Sequence, residues 1–257
     1  MSYETVRYED RGTVGVITLD RPDNRNGITG TMMRELYEVV GLAEANDQLR
    51  VVLLTGAETS FCVGADLKHY SSGAETGPTP LELFHITTKL HTMPAVTVAA
   101  VNGAAAGAGM GWAMACDFRV ATASALFNTA FLDVAVAGDM GLPWSLPRLV
   151  GAARARELSF FPRRIPASEA HQLGLVNEVF DDEAFLGGVD DFVARLAAAA
   201  PLALRGMKQN YLDAEVMGFS DYITTESERH AAISSSEDCR EAFAAFVEKR
   251  VPDFKGR

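Results

Sequence analysis

The sequence predicts an α/β fold. Short apolar runs rich in Val, Leu and Ala recur after turn signals, and amphipathic helical patterns stand between them. Alternation of this kind implies crossover units rather than a meander of hairpins. The chain has 257 residues, 48% hydrophobic and 22% charged, which is enough to bury a sizeable core.

Residues 14–19, Val-Gly-Val-Ile-Thr-Leu, read as a strand that ends at the turn Arg21-Pro22-Asp23-Asn24. Thr31 is placed to cap a helix whose apolar positions Met32, Leu36, Val39, Val40 and Ala43 share one face. Arg50 to Thr55 forms a second strand, apolar through its middle and therefore expected to be covered on both sides. Residues 56–64 make a loop. Residues 71–80, Ser-Ser-Gly-Ala-Glu-Thr-Gly-Pro-Thr-Pro, are polar and rich in breakers, the composition of a lid. A helix from about Leu81 to His91 stops at Met93-Pro94, and a third strand runs from Ala95 to Val101. Past Pro166 the pattern is mainly helical, with an alanine-rich stretch at 192–200 and amphipathic segments at 202–217 and 221–249. No Gly/Ser- or Pro-rich spacer marks a boundary. A single domain over 1–257 is expected, with a core over about 1–195 and a helical region over about 196–257.

Thirty-four acidic against 23 basic side chains give a net charge of -11. That balance argues against nucleic-acid or anionic-membrane partners, and leaves room for a small anionic ligand held by a local basic patch. The longest apolar stretch, Ala95 to Ala115, is interrupted by Asn102 and several glycines, so no membrane span is expected. The opening Met-Ser-Tyr-Glu-Thr-Val lacks a basic-then-apolar signal layout. Cys62, Cys116 and Cys239 have unrelated spacings and form neither a disulfide framework nor a metal knuckle. A cytoplasmic protein with no metal site is expected.

Two glycine-containing loops follow apolar strands. One is Ser60-Phe61-Cys62-Val63-Gly64-Ala65-Asp66-Leu67; the other runs from Val101-Asn102-Gly103 through Gly107-Ala108-Gly109-Met110-Gly111-Trp112 to Cys116-Asp117. Small residues allow a sharp turn and bring a ligand close to bare N–H groups, and a helix opening there favours negative charge. Taken alone, Gly107-Ala108-Gly109 reads as close helix–strand packing rather than as a ligand loop. Trp112 stands where a dinucleotide-binding loop would need its third glycine, and the chain holds no Walker loop, no H-E-x-x-H and no G-x-S-x-G elbow.

Together the two loops resemble those of the crotonase (enoyl-CoA hydratase/isomerase) superfamily. Supporting segments run nearly end to end: Leu19-Asp20-Arg21-Pro22 with Arg25-Asn26, Leu146-Pro147-Arg148-Leu149-Val150-Gly151, Gly174-Leu175-Val176 and the ending Phe246 to Phe254. The resemblance implies a crotonase-like spiral of ββα repeats with a helical C-terminal region that builds trimers or hexamers. It implies an acyl-CoA thioester as substrate, coenzyme A entering only as part of it and no other cofactor. The thioester oxygen would sit between the backbone N–H groups of Ala65 and Ala108. Pantetheine and adenine would follow Gly64, Ala65, Asp66, Leu67 and Lys68, with Arg25 and Lys68 meeting phosphate or adenosine; either basic side chain also reads as an ordinary surface charge.

Hydratases of this family carry two glutamates that position a water. Those slots fall here on Gly111 and Phe131, so ordinary hydration is doubtful, and Phe131 becomes part of the substrate site instead. Asp139 lies eight residues beyond Phe131, at the position of the family's single-aspartate isomerases. Its neighbours Val134, Val136, Ala137, Met140 and Leu142 suggest poor solvation, which makes a carboxylate a better base. Read without the resemblance, an aspartate before such a turn is a cap. Asp66 reads as a loop-fixing residue, Asp133 as structural, and His69, His85 and His91 as ordinary helix or surface histidines. The expected activity is an isomerase-like double-bond shift with Asp139 as base. The alternatives are a weakly catalytic acyl-CoA binder, a hydratase, or a dehalogenase-like enzyme whose partnering histidine slot falls on Glu82.

Overall fold

Strand residues here alternate between two cores, and that alternation builds the frame. The computed structural model describes residues 3–75 and 77–257. β1 (Val6–Asp10) and β2 (Val14–Leu19) form an antiparallel hairpin, α1 (Gly30–Glu44) crosses over, and β3 (Val51–Gly56) returns parallel to β2 with Val14 opposite Val51. The chain then bends into β4 (Ser60–Cys62), followed by α2 (Leu67–Ser71) and α3 (Ile86–Thr92). The same strand–strand–helix step recurs as β5 (Val96–Val101), β6 (Ala104–Ala106) and α4 (Ala108–Ala115). It recurs again as β7 (Phe118–Thr122), β8 (Leu126–Asn128), α5 (Leu142–Val150) and α6 (Ala152–Phe160). β9 (Ile165–Pro166), α7 (Ala167–Gln172) and β10 (Glu178–Phe180) complete the sheets. Helices α8 (Phe185–Ala197), α9 (Pro201–Ala214), α10 (Phe219–Ser234) and α11 (Glu237–Glu248) follow.

Each step gives its first strand to one sheet and its second to another. The larger sheet has the order β1-β2-β3-β5-β7-β10 and the smaller β4-β6-β8-β9. This is the spiral that the resemblance implies. In β3, Val52 and Leu54 face the core shared with α1, α3 and α4, whereas Val51 and Leu53 face Phe185, Val189, Phe192 and Val193 of α8. With both faces covered, the strand reads as a continuous apolar run. Glycine is obligatory where the two sheets join: a β-carbon at Gly56 would collide with Ser60 O, and one at Gly103 with Thr59 O. Asn102 Nδ2 donates to Gly56 O and Glu58 O (both 2.8 Å) and fixes that corner.

Several boundaries differ from the sequence reading. The cap of α1 is Thr29, not Thr31: its hydroxyl accepts from Met32 N–H, and Thr31 lies inside the helix. The segment from Leu81 splits into a 3-10 turn, Leu81–His85, and α3. The 221–249 stretch is two helices, parted where Ser236 caps α11 by accepting from Cys239 N–H. Thr76, within the expected lid, lies outside the described residues. Among the described residues no helix is long and apolar enough to cross a membrane.

Candidate active site

The first loop is pinned so that one N–H is left over. Ile28 N–H donates to Gly64 O (2.8 Å) and Asp66 N–H donates to Ile28 O (2.9 Å). Ala65 lies between them, and its N–H has no acceptor among the described residues. Gly64 adopts φ +82°, and a β-carbon on it would sit 2.9 Å from Ala106 O and 3.7 Å from Ala108 N. Only glycine lets this loop close on the second one.

In the second loop Gly107 (φ +52°) donates to Asn128 O at 3.0 Å and introduces α4. Ala108 is the first residue of that helix, so its N–H belongs to the unpaired first turn. A β-carbon on Gly109 would strike Cys62 O, so the small residues serve close packing as well as a bare N–H. Ala65 and Ala108 line one cleft of about 270 Å³ together with Leu67, Tyr70, Phe131 and Asp139. Two free donors facing one space can hold an oxyanion.

Among the described residues, Asp139 is the one carboxylate in the cleft lining. Its Oδ1 is buried with no hydrogen-bond partner among the described residues. Burial pushes the carboxyl up to about 6. It is not a cap: Gly141 (φ +68°) precedes α5, and Leu142 N–H bonds the backbone carbonyl of Asp139, not its side chain. Its neighbours contribute in two ways: Met140 and Leu142 are buried, and Val134 and Val136, although 44% and 48% exposed, line the same cleft as Asp139.

Met140 also decides what stands at Gly111. A β-carbon there would lie 2.7 Å from Met140 Cβ and 3.0 Å from Met140 O, so the space for any larger side chain is taken. Nothing in the sequence pairs these two residues. Ile28 and Phe84 join the cleft lining in the same unforeseen way.

Asp66 has a different setting. Its carboxylate accepts from Arg21 Nη2 (3.0 Å), Asn24 Nδ2 (3.3 Å) and, as cap of α2, from His69 N–H (3.1 Å). Burial opposes its ionisation, but the His69 N–H and the Arg21 guanidinium outweigh burial and hold the carboxyl below its ordinary range. It is turned into the loop and does not line the cleft. Arg25 and Lys68 are exposed, outside the cleft lining, and have no ion-pair partner among the described residues. Asp133 and Glu82 are exposed in short 3-10 turns. His85 bonds Thr88 and His91 bonds Glu215 (3.0 Å each), and His69 lies 3.7 Å from Glu75. None of the three histidines lines the cleft. Cys62 is fully buried under the first loop, where burial raises its thiol to about 12. No group of three or more His, Cys, Asp or Glu among the described residues could hold a metal ion.

The sequence pattern of the enoyl-CoA hydratase/isomerase family matches residues 9–257. The chain belongs to that family. It is therefore an enzyme of the crotonase superfamily, whose members act on acyl-CoA thioesters. It is 34% identical to the 1,2-epoxyphenylacetyl-CoA isomerase of Escherichia coli over 95% of each chain. Among solved structures, it matches an enoyl-CoA hydratase of Bacillus anthracis with a TM-score of 0.91, at 29% identity over 99% of this chain and 100% of that one. A Thermobifida fusca protein solved in complex with acetoacetyl-CoA matches with a TM-score of 0.82, at 30% identity over 89% of this chain and 94% of that one. The relatives of this chain are thus named as an isomerase in one case and as hydratases in others.

Proposed function

We propose that this enzyme shifts a carbon–carbon double bond in an enoyl-CoA ester, with Asp139 as the proton carrier. The observation that carries the reading is the Asp139 carboxyl, with one oxygen buried and unpartnered in the cleft lined by the two free N–H groups. In this mechanism the N–H groups of Ala65 and Ala108 bind the thioester oxygen and stabilise the charge that develops when Asp139 takes an α or γ proton. The resulting dienolate is reprotonated by the same carboxyl at the other carbon, so the proton count closes and no cofactor beyond the substrate's own coenzyme A is required. A base of this kind contributes about 10²–10⁴-fold, and an oxyanion donor about 10²–10³-fold. Hydration is disfavoured because Gly111, where hydratases carry a glutamate, is blocked by Met140. Arg25 and Lys68, exposed and unpaired, are proposed to meet the phosphates or adenosine of coenzyme A.

The experiment is incubation with 2-enoyl- and 3-enoyl-CoA esters in D2O. Solvent deuterium at the α or γ carbon together with a shifted double bond is the expected result; a 3-hydroxyacyl product, or no exchange, overturns the reading. A trimeric or hexameric assembly is also proposed. Phe219, Phe243, Phe246, Val247 and Val251 in the C-terminal region are all highly exposed, and burying such surface favours association. A sedimentation mass of one chain at micromolar concentration would contradict it.

A further inference from the structure

A second cavity of about 390 Å³ adjoins the catalytic cleft, floored by Leu142 and Leu146 of α5 and by Ala155 and Ser159 of α6. Among the described residues the two spaces share Phe131 and Val136 alone. The Phe131 ring stands between two loops. A β-carbon on Gly107 would lie 3.8 Å from its Cε1, and one on Gly138 would lie 3.8 Å from its Cδ2, on the opposite edge of the ring. One edge therefore faces the oxyanion loop and the other the loop that carries Asp139.

The backbone beneath the ring is unusual. Ala130 and Ala135 on either side adopt φ +58° and +60°, a region that costs a non-glycine residue energy and that clusters at functional sites. Ala130 N–H is held by Asn128 Oδ1 at 3.1 Å, while Val134 and Val136 N–H both donate to Phe131 O (3.2 and 3.1 Å). The turn fixes the Cα of Phe131, and its half-buried side chain packs against the core. Leu132, Val134 and Val136 beside it are apolar and exposed, the mark of a surface that meets an apolar ligand.

Resting on the Asp139 reading, we propose that Phe131 is the specificity-determining partition of this enzyme. The acyl group beyond the reacting carbons passes the ring into the second cavity, and the substrate class is an acyl-CoA with a wide apolar acyl group, ring-bearing or branched. The cleft alone lies at the small end of ligand sites, which run to about 300–1,000 Å³, and the thioester must share it. The second cavity is apolar except for Ser159 and the exposed Arg156.

The test compares kcat/KM for a four-carbon and a phenyl-bearing 3-enoyl-CoA ester in three proteins: the natural chain, Ser159→Trp and Phe131→Ala. The natural chain should favour the phenyl-bearing ester. Ser159→Trp, which fills the second cavity from its floor, should cut that ratio by about 10-fold or more, and Phe131→Ala should cut it as well by removing the wall that guides the ring. A ratio unchanged in Ser159→Trp, or a natural preference for the four-carbon ester, overturns the proposal. Dissociation constants of the matching saturated acyl-CoA esters give the same comparison without turnover. Failure of the isomerase reading, seen as no exchange with any ester, thus stays distinct from failure of the partition.

Discussion

Asp66 and Asp139 are carried by loops that border the same cleft, and both are withdrawn from water. Asp66 has three donors aimed at it and its carboxyl is held below the ordinary range. Asp139 has a buried oxygen with none, and its carboxyl is raised to about 6. Burial is common to both, so burial alone does not mark a chemical acid. What separates them is whether the fold supplies hydrogen-bond donors to the charged form. A carboxylate supplied with donors organises the backbone, and one left without them keeps its affinity for a proton.

The contrast is broken most directly at Asp139. Asp139→Asn should lower turnover by at least about 10²-fold, with acyl-CoA affinity within a few-fold. A rate within a few-fold of the natural chain would transfer the role to another group. Ala108→Pro should follow with a loss of about 10²–10³-fold, against little loss for Ala108→Gly. Proline is tolerated at the first position of a helix, so the missing N–H rather than a broken α4 is what the assay reads; equal losses in two folded variants would remove Ala108 from the oxyanion hole. Asp66→Ala should do the reverse of Asp139→Asn. Losing a cap and the partner of Arg21 should cost about 1–3 kcal/mol in denaturant unfolding, while kcat changes by less than about 10-fold. A larger rate effect without destabilisation would make Asp66 part of the chemistry.

The smallest expected effects concern pH. Asp139 works as a base in its ionised form, so kcat/KM should rise with pH through about 6 and level off above it. A limb absent there, or falling, contradicts the assignment. Stability carries the opposite sign. A carboxyl whose folded-state value is raised costs stability once it ionises, a cost present above about 6 and absent below the ordinary carboxylate range. Asp139→Asn should therefore raise Tm above about pH 7, by about 2–4 °C for each 1 kcal/mol relieved, with no gain near pH 4.

Much of the frame is legible in the sequence because β2, β3 and β5 are long enough to show their pattern. The smaller sheet is not. β4, β6 and β8 have three residues each, too few for any periodicity to register. Thr29 and Thr31 are two threonines before one apolar face, and the structure distinguishes them by the Thr29 hydroxyl, which accepts from Met32 N–H. Ala65, Ala108 and Asp139 are singled out in the sequence through the order of motifs, and the structure brings them to one cleft. Of the donors that quiet Asp66, His69 N–H is local, whereas Arg21 and Asn24 lie far from it in the chain, and the cleft around Asp139 draws walls from distant segments as well as from its own loop. The distant parts of both settings belong to tertiary packing.

The contact between Met140 and Gly111 constrains how this sequence can change. The atoms over Gly111 are the β-carbon and the backbone carbonyl of Met140, so a glutamate at 111 meets an obstacle that shortening the Met140 side chain to alanine does not remove. Overpacking typically costs about 1–3 kcal/mol, and that cost should persist when Met140 is shortened. In a double-mutant cycle, Gly111→Glu with Met140→Ala should therefore be additive to within about 0.5 kcal/mol, and a clear recovery would show that the outer atoms of the methionine hold the space instead. A carboxylate in the slot where hydratases carry one thus requires the loop under Met140 to move, and a smaller side chain at 140 is not enough.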